Sequence, residues 1–587
     1  MRAIRELPLA ASLLLVGLAL FFGEGPRYGS LPWLGGGVLA VIVVLIATLG
    51  IPAGWQRLVP LAALTVWLAL SITWSALPDR SWEYANRAFV YLLFAALGLW
   101  LAGRTRDFAL GVAALLGAVV TWSLLGKVLP FVYDDYGRIA RLRGPVGLWN
   151  QLALLADFAL PLALWRRGRS GTLLAYAWIV ALLLTYSRGG LLTAIVVLAA
   201  WFALTDERAQ GAAVLLVAAL PAAAVVGIAF LLPGVTSDGQ LSHVRWRDGL
   251  IFGALLVAGA LVAALVPRPR LSPLALKRLA IAGAVAVVVG ALAVLVLGGG
   301  SGSIGNSGGR LGSTSSNFRT VWWRQALDGW QHHALAGTGA GSFHVTNLRY
   351  RTTFLDETTE PHDLPLQFLS ETGIVGLALL AVALALLLHT GRRRGHELAL
   401  SLLLPAYVVH SLVDIDWDFV AVSAPAFVAA GALAGRPVLR PVPAFAGLVA
   451  AGAALLAFVV LLLPWLGQRW ADEATFAAPA RAETLAKRAR SVDPLLVEPL
   501  WALAFAEEQR GNDPRSLAYY EQATREQPEN AQTWLAAGRF ALHIGCARRA
   551  LQHFYRFVAL DNKARPSEGA DDYREALRLV NTGKPRC

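Results

Sequence analysis

Long apolar runs alternate with short polar gaps along most of this chain. The runs fall near residues 7–22, 31–50, 58–77, 87–102, 108–128, 147–165, 172–186, 190–204, 211–232, 249–266, 279–297, 366–389, 397–413, 419–435 and 443–466. A helix of about 20 apolar residues crosses the hydrocarbon of a bilayer. The pattern therefore predicts an all-α fold, a polytopic transmembrane helix bundle of about 12–15 spans. Arg2 and Arg5 precede the first run and more runs follow at once, so it reads as a signal anchor. The seventh and eighth runs are short and separated only by Ser187-Arg188-Gly189, which fits one broken hairpin inside the bundle. One long polar interruption, residues 299–365, breaks the rhythm. It begins rich in Gly and Ser, turns aromatic and basic at Asn317-Phe318-Arg319-Thr320-Val321-Trp322-Trp323-Arg324, and closes on Glu360-Pro361-His362-Asp363.

Composition agrees with a membrane protein. The 587 residues are 56% hydrophobic and 15% charged, with a mean hydropathy of +0.56. The net charge of +13 raises nucleic acid as a ligand, but its distribution excludes that reading. After residue 470 there are 17 Lys and Arg against 16 Asp and Glu, so the tail is near neutral. The excess sits in short loops: at Arg57, Arg104 and Arg106, Arg166 to Arg169, Arg208, Arg268 to Arg278, Arg392 to Arg394, and Arg436 with Arg440. That is the positive-inside pattern. With the N-terminus inside, these loops are cytoplasmic and the tail falls outside. The same alternation puts outside the loop from Asp134 to Gly147 with Arg138, Arg141 and Arg143, then Arg188, the interruption at 299–365, and Asp414-Ile415-Asp416-Trp417-Asp418. Arginines on the side that topology does not favour need another reason, and an anionic ligand supplies one.

The expected domains are residues 1–298, the first part of the bundle; 299–365, a large extracytoplasmic loop; 366–466, the rest of the bundle; and 470–587, a soluble helical tail. In the tail, Asp493-Pro494, Gln527-Pro528 and Asp561-Asn562 recur every 34 residues. Trp534, Ala536-Ala537-Gly538, Phe540, Ala550, Phe554 and Ala559-Leu560 sit near tetratricopeptide positions, so the tail resembles a short array of such repeats. Stacked helix pairs of this kind offer a concave face to a peptide, and a protein partner is expected there. Cys546 and Cys587 are the only cysteines. They make no metal site, and either one bridge in an extracytoplasmic tail or two thiols is open.

Several segments together resemble the bacterial O-antigen ligase and polymerase family over roughly residues 135–390. These are Gly144-Pro145-Val146-Gly147-Leu148-Trp149-Asn150-Gln151-Leu152-Ala153, Ser187-Arg188-Gly189, Arg319 with Trp323-Arg324-Gln325-Ala326-Leu327, Gly337-Thr338-Gly339-Ala340-Gly341-Ser342-Phe343, His362-Asp363-Leu364-Pro365-Leu366-Gln367, and Glu371-Thr372-Gly373-Ile374-Val375-Gly376. Asp363 stands where that family usually has Asn, and the Pro often found before the glycine stretch is absent at His333-Ala334. The resemblance implies a polytopic glycosyltransferase of the bacterial inner membrane, with its active site facing the periplasm. Its donor would be a glycan on a polyprenyl diphosphate and its acceptor a hydroxyl on a lipid core, a glycan or a protein. An O-antigen polymerase and a protein O-oligosaccharyltransferase stay as alternatives to the ligase, and a transporter or scaffold without catalysis as another class.

Transfer from such a donor needs cations for the leaving diphosphate and a base for the acceptor hydroxyl. Arg188 and Arg319 are the expected diphosphate ligands and His362 the expected base. His332, His333 and His344 compete for that role, while His410 reads as structural. Arg143, Asn150, Arg324 and Gln367 are the expected substrate-binding residues. No cofactor is expected. No metal is expected either, because the Asp414 to Asp418 run lacks the Gly and Glu of a calcium loop. The three loop glycines, 337, 339 and 341, lack the Lys-Ser/Thr of a nucleotide-phosphate loop and fit tight backbone packing at a turn. Trp322, Trp323, Trp330 and Phe343 fit either stacking on sugars or seating a helix at the membrane interface.

Overall fold

A backbone with no water to pair with must close its own hydrogen bonds, and in a long apolar run it does so as a helix. The computed structural model describes the chain except for residues 1, 24, 26–27, 133–139, 298–313, 389–393, 562, 565–568 and 584–587. Arg138, Arg392, Arg393, Asn562, Cys587 and the first part of the polar interruption therefore lie outside the described residues. Among the described residues the one sheet is an antiparallel ribbon of Ile51–Ala53 with Arg436–Arg440; the other regular elements are helices.

The protein is a multi-pass membrane protein. Among the described residues seven helices are long and apolar enough to cross a bilayer: Tyr28–Leu49, Pro78–Leu101, Thr105–Val128, Arg208–Ala229, Ser242–Leu265, Leu364–Leu388 and Phe445–Thr475. Glu6–Phe22, Gly168–Leu184, Arg188–Leu204 and Val420–Ala434 are apolar but shorter. Some apolar runs are thus not single full-length helices. The run at 58–77 contains the helix Val59–Ser71, 13 residues, about 20 Å at the helical rise. The run at 397–413 divides into Gly395–Ser401 and Leu403–Ser411.

Two helices are buried all round inside the bundle, and most of their residues are apolar. Every residue of Val420–Ala434 is buried, and so is Trp149–Arg166 from Asn150 to Leu164. Val420–Ala434 packs on Pro78–Gly98 at near backbone contact. A Cβ at Gly431 would stand 1.9 Å from the Ala95 carbonyl oxygen, and one at Gly98 would stand 2.2 Å from that of Val428. Small residues let helices in a membrane approach this closely.

The two ends of the bundle gather different loops. At one end Arg104 Nη1 meets Glu6 at 2.6 Å, Arg394 Nε meets Asp206 at 3.2 Å, and Arg167 pairs with Glu207. At the other end lie the polar segment after residue 313, the turn at Asp414–Asp418 and the tail. The 32-residue helix Ala444–Thr475 leads out of the bundle into Pro479–Val492, Glu498–Glu508, Asp513–Glu526, Ala531–His543, Ala547–Leu560 and Ala570–Asn581, each packed on the next. The tail folds back on the chain: Gln527 Nε2 donates to Asp79 Oδ1 at 2.7 Å, and Arg351 Nη2 pairs with Asp561 Oδ2 at 2.5 Å.

Candidate functional site

The glycine stretch builds a cradle for a carboxylate of the chain itself. Gly337, Gly339 and Gly341 all have φ between 68° and 103°, a region costly for residues with a Cβ. Gly341 N–H donates to Glu371 Oε2 at 2.8 Å, Phe343 N–H to Oε1 at 3.2 Å, and Gly339 N–H to the Glu371 carbonyl at 2.8 Å. Glu371 is thereby fixed inside the helix Leu364–Leu388, which breaks its regular dihedrals at Gly373 (φ 66°) to let Leu335 and Ala336 pass. Gln367 belongs to this cradle. It is buried and donates to Tyr84 Oη at 3.3 Å and to Glu371 Oε1 at 3.4 Å.

A second buried carboxylate, Asp414, gathers three of the expected site residues. Asp414 follows the helix Leu403–Ser411 and its side chain is 1% exposed. Arg319 Nη2 donates to its Oδ2 at 3.1 Å, and Asn150 Nδ2 donates to the same oxygen. His362 Nδ1 stands 3.6 Å from Oδ1, too far for a hydrogen bond and close enough for electrostatic attraction. Burial pushes the Asp414 carboxyl up, but His362, Arg319 and His410 outweigh it and hold it well below the usual carboxylate range. Each of these residues sits at a helix end. Asn150 is the second residue of Trp149–Arg166, Arg319 opens Arg319–His332, and His362 precedes Leu364–Leu388.

The backbone here is strained. His362 (φ 55°), Asn317 (φ 51°) and Phe318 (φ 65°) are side-chain-bearing residues in the left-handed region, at about 1–3 kcal/mol each. Trp322, one turn into the 319–332 helix, stacks on the His362 ring with centroids 5.1 Å apart and planes 20° apart. The indole Nε1 is held by the Asp356 carbonyl at 2.7 Å. Beside His362, burial pushes the Glu360 carboxyl up.

Arg188 opens the helix Arg188–Leu204, whose N-cap is Ser187 accepting from Gly190 N–H at 3.1 Å. The Ser187-Arg188-Gly189 segment is thus a helix start. Arg188 Nη2 donates to the Ser315 carbonyl at 2.6 Å, and its guanidinium lies within electrostatic reach of Arg319. Two guanidinium groups sharing a neighbourhood with one ionised carboxylate leave a net positive field. Nearby, Arg141 reaches Asn150 Oδ1 at 3.4 Å and lies over the Trp149 ring at 3.9 Å. Arg141, Arg143, Lys127 and Arg245 line a small cavity. Arg143 therefore belongs to a basic pocket next to the Asp414 group. Arg324 is exposed on the 319–332 helix.

Of the seven expected site residues, the structure gathers His362, Arg319 and Asn150 on Asp414, sets Arg188 beside Arg319, and places Arg143, Arg324 and Gln367 elsewhere. The three aspartates of the 414–418 run face separate partners. Asp416 accepts from Gln151 Nε2 at 3.1 Å and pairs with His410 Nδ1 at 2.8 Å, and Asp418 lies 3.7 Å from Arg87 Nη1. Among the described residues no group of three His, Cys, Asp or Glu is placed to hold a metal ion. Sequence reading passed over Asp414 as the hub. Its available signal was the acidic run on the side where arginines collect, an opposite charge in the right place.

No curated protein matches the chain. Residues 247–381 match the family model described as O-Antigen ligase, a segment that contains Arg319, the glycine cradle, His362 and Glu371. The chain thus carries the domain of the O-antigen ligase family and is, in that broad sense, a membrane enzyme of glycosyl transfer.

Proposed function

We propose that this protein moves a glycan from a polyprenyl-diphosphate carrier to an acceptor hydroxyl on a lipid core, at the periplasmic face of the bacterial cytoplasmic membrane. The observation that carries this reading is the shared carboxylate. Asp414 aligns Arg319 and His362 from its two oxygens, with Arg188 adjacent. The arginines neutralise the charge that develops on the diphosphate as the glycosidic C–O bond to phosphate breaks. The acceptor oxygen bonds to the anomeric carbon and its proton passes to His362. The imidazolium so formed is stabilised by Asp414, as carboxylate-oriented histidines are. The products are the glycosylated acceptor and free polyprenyl diphosphate, so atoms and charge balance without an external oxidant or reductant.

The basic loops at the opposite end of the bundle support a periplasmic site.

The test is reconstitution of the full-length protein in vesicles with donor and lipid-core acceptor. Glycosylated acceptor and released polyprenyl diphosphate are expected in equal amounts, insensitive to chelators. Arg188→Ala and Arg319→Ala should each lower transfer by orders of magnitude while insertion is retained. Full transfer by both variants, or movement of intact donor across the bilayer with no diphosphate released, rejects the reading.

A further inference from the structure

The tail touches the polar segment that bears the candidate site. The contact runs through the helix Phe343–Tyr350 and the stretch that follows it. Phe343–Tyr350 packs against Ala547–Leu560 of the tail. Leu348 is 4% exposed and shares an apolar cluster with Leu517, Leu535, Phe554 and Leu560. Arg349 pairs with Glu529. Arg351, with a side chain 1% exposed, forks onto Asp561: Nε donates to Oδ1 at 2.7 Å and Nη2 to Oδ2 at 2.5 Å, while Nη1 donates to Glu357 at 2.8 Å. Asp561 is itself 2% exposed. A bidentate, water-excluded guanidinium–carboxylate pair fixes orientation as well as distance.

From Arg351 the contacts continue to the site without a gap. The next residues wrap around Asp356, which is 1% exposed. Thr352 N–H and Oγ1 donate to its Oδ2 at 3.1 and 3.0 Å, and Gln325 Nε2 donates at 3.3 Å. Asn347 Nδ2 donates to Gln325 Oε1 at 2.8 Å and to the Asp356 carbonyl at 3.0 Å. That same carbonyl accepts the indole N–H of Trp322, the ring stacked on His362.

We propose that the tail is a clamp acting in cis, whose partner is the chain's own loop: Arg351 and Asp561 latch the strap 351–358, the strap fixes Trp322, and Trp322 sets the plane of the His362 ring. Arg351, Asp561 and Trp322 are positioning residues, and the inference rests on His362 being the base. Entropy is the reason for such a device. A strained His362 in a long polar segment samples many ring orientations unless something outside the segment restrains it.

The experiment uses the full-length protein in membranes, with initial rates at varied donor and pH. Arg351→Ala is expected to lower kcat roughly 10- to 100-fold with donor KM nearly unchanged, and Arg351→Lys to recover only part. Trp322→Phe keeps a stackable ring but loses the N–H to Asp356. It should lower kcat several-fold at unchanged donor KM and displace the pH profile of transfer, a shift that a merely structural role does not produce. Should Arg351→Ala fail to insert, Trp322→Phe decides alone. Wild-type kcat and pH profile in Trp322→Phe overturn the clamp. His362→Ala separates the two ideas: if it is inactive while the Arg351 and Trp322 variants retain full kcat, the clamp falls and the proposed chemistry stands.

Discussion

Arg319 and His362 lean on opposite oxygens of one buried carboxylate: Arg319 Nη2 lies 3.1 Å from Asp414 Oδ2, and His362 Nδ1 lies 3.6 Å from Oδ1. The anion thereby does two jobs. It compensates a guanidinium mostly withdrawn from water, and it faces one imidazole nitrogen, leaving the other for the proposed acceptor hydroxyl. Neither partner is held by the carboxylate alone. Helix entry fixes Arg319, and Trp322 covers His362.

Asp414→Asn keeps the shape and removes the charge. Transfer should fall roughly 100-fold or more, measured as diphosphate release. Because Arg319 and Asp414 act together, Asp414→Asn combined with Arg319→Ala should cost less than the product of the two single effects. The acid side follows from the depressed carboxyl. Its pairing is present above the unfolded value near 4 and is lost only as pH falls through its lower folded value. Asp414 should therefore contribute no loss of activity between about pH 5 and 8.

Asp363 behaves in the opposite sense. Burial raises its carboxyl to about 6, against the donation from Leu366 N–H at 2.8 Å. A carboxyl raised on folding stabilises fully below its unfolded value of 3.8, and that contribution is lost as pH rises through about 6. Asp363→Asn keeps the helix cap and abolishes the titration. Its melting temperature relative to wild type should rise between pH 4 and 7; parallel melting curves across that range would refute the assignment.

Glu371→Ala should cost stability before it costs chemistry. It strands the buried N–H groups of Gly341 and Phe343, each worth about 1–3 kcal/mol when left without an acceptor. Glu371→Gln retains an acceptor and should cost less. Thermal unfolding in detergent reads the ranking.

Gly373→Ala tests the break in the 364–388 helix. Its φ of 66° disfavours any Cβ, and that Cβ would stand 2.1 Å from the Leu335 carbonyl oxygen, so the glycine cradle must move. We expect poor accumulation in the membrane. Gly227→Ala, with nothing within 4 Å of the added Cβ, is the control. In a helix it should be neutral or stabilising by up to about 1 kcal/mol.

The sequence by itself determined the helical membrane architecture, because a run of apolar residues in a bilayer has only one way to satisfy its backbone. It also displayed the basic loops and the segments proposed here for chemistry, since residue types such as Arg188, Arg319 and His362 stand out against an apolar background. What it left open was which polar groups touch. Gln367 and Glu371 belong to two neighbouring segments of the sequence, and the glycine cradle joins them inside the fold. Asn150 meets Asp414 across 264 residues and Arg319 meets it across 95. The helical pattern of the tail gave no sign that Ala547–Leu560 would hold Phe343–Tyr350. Hydropathy and spacing are local properties. The partner of a buried carboxylate is chosen by how helices distant in the chain pack, and only tertiary structure makes that choice.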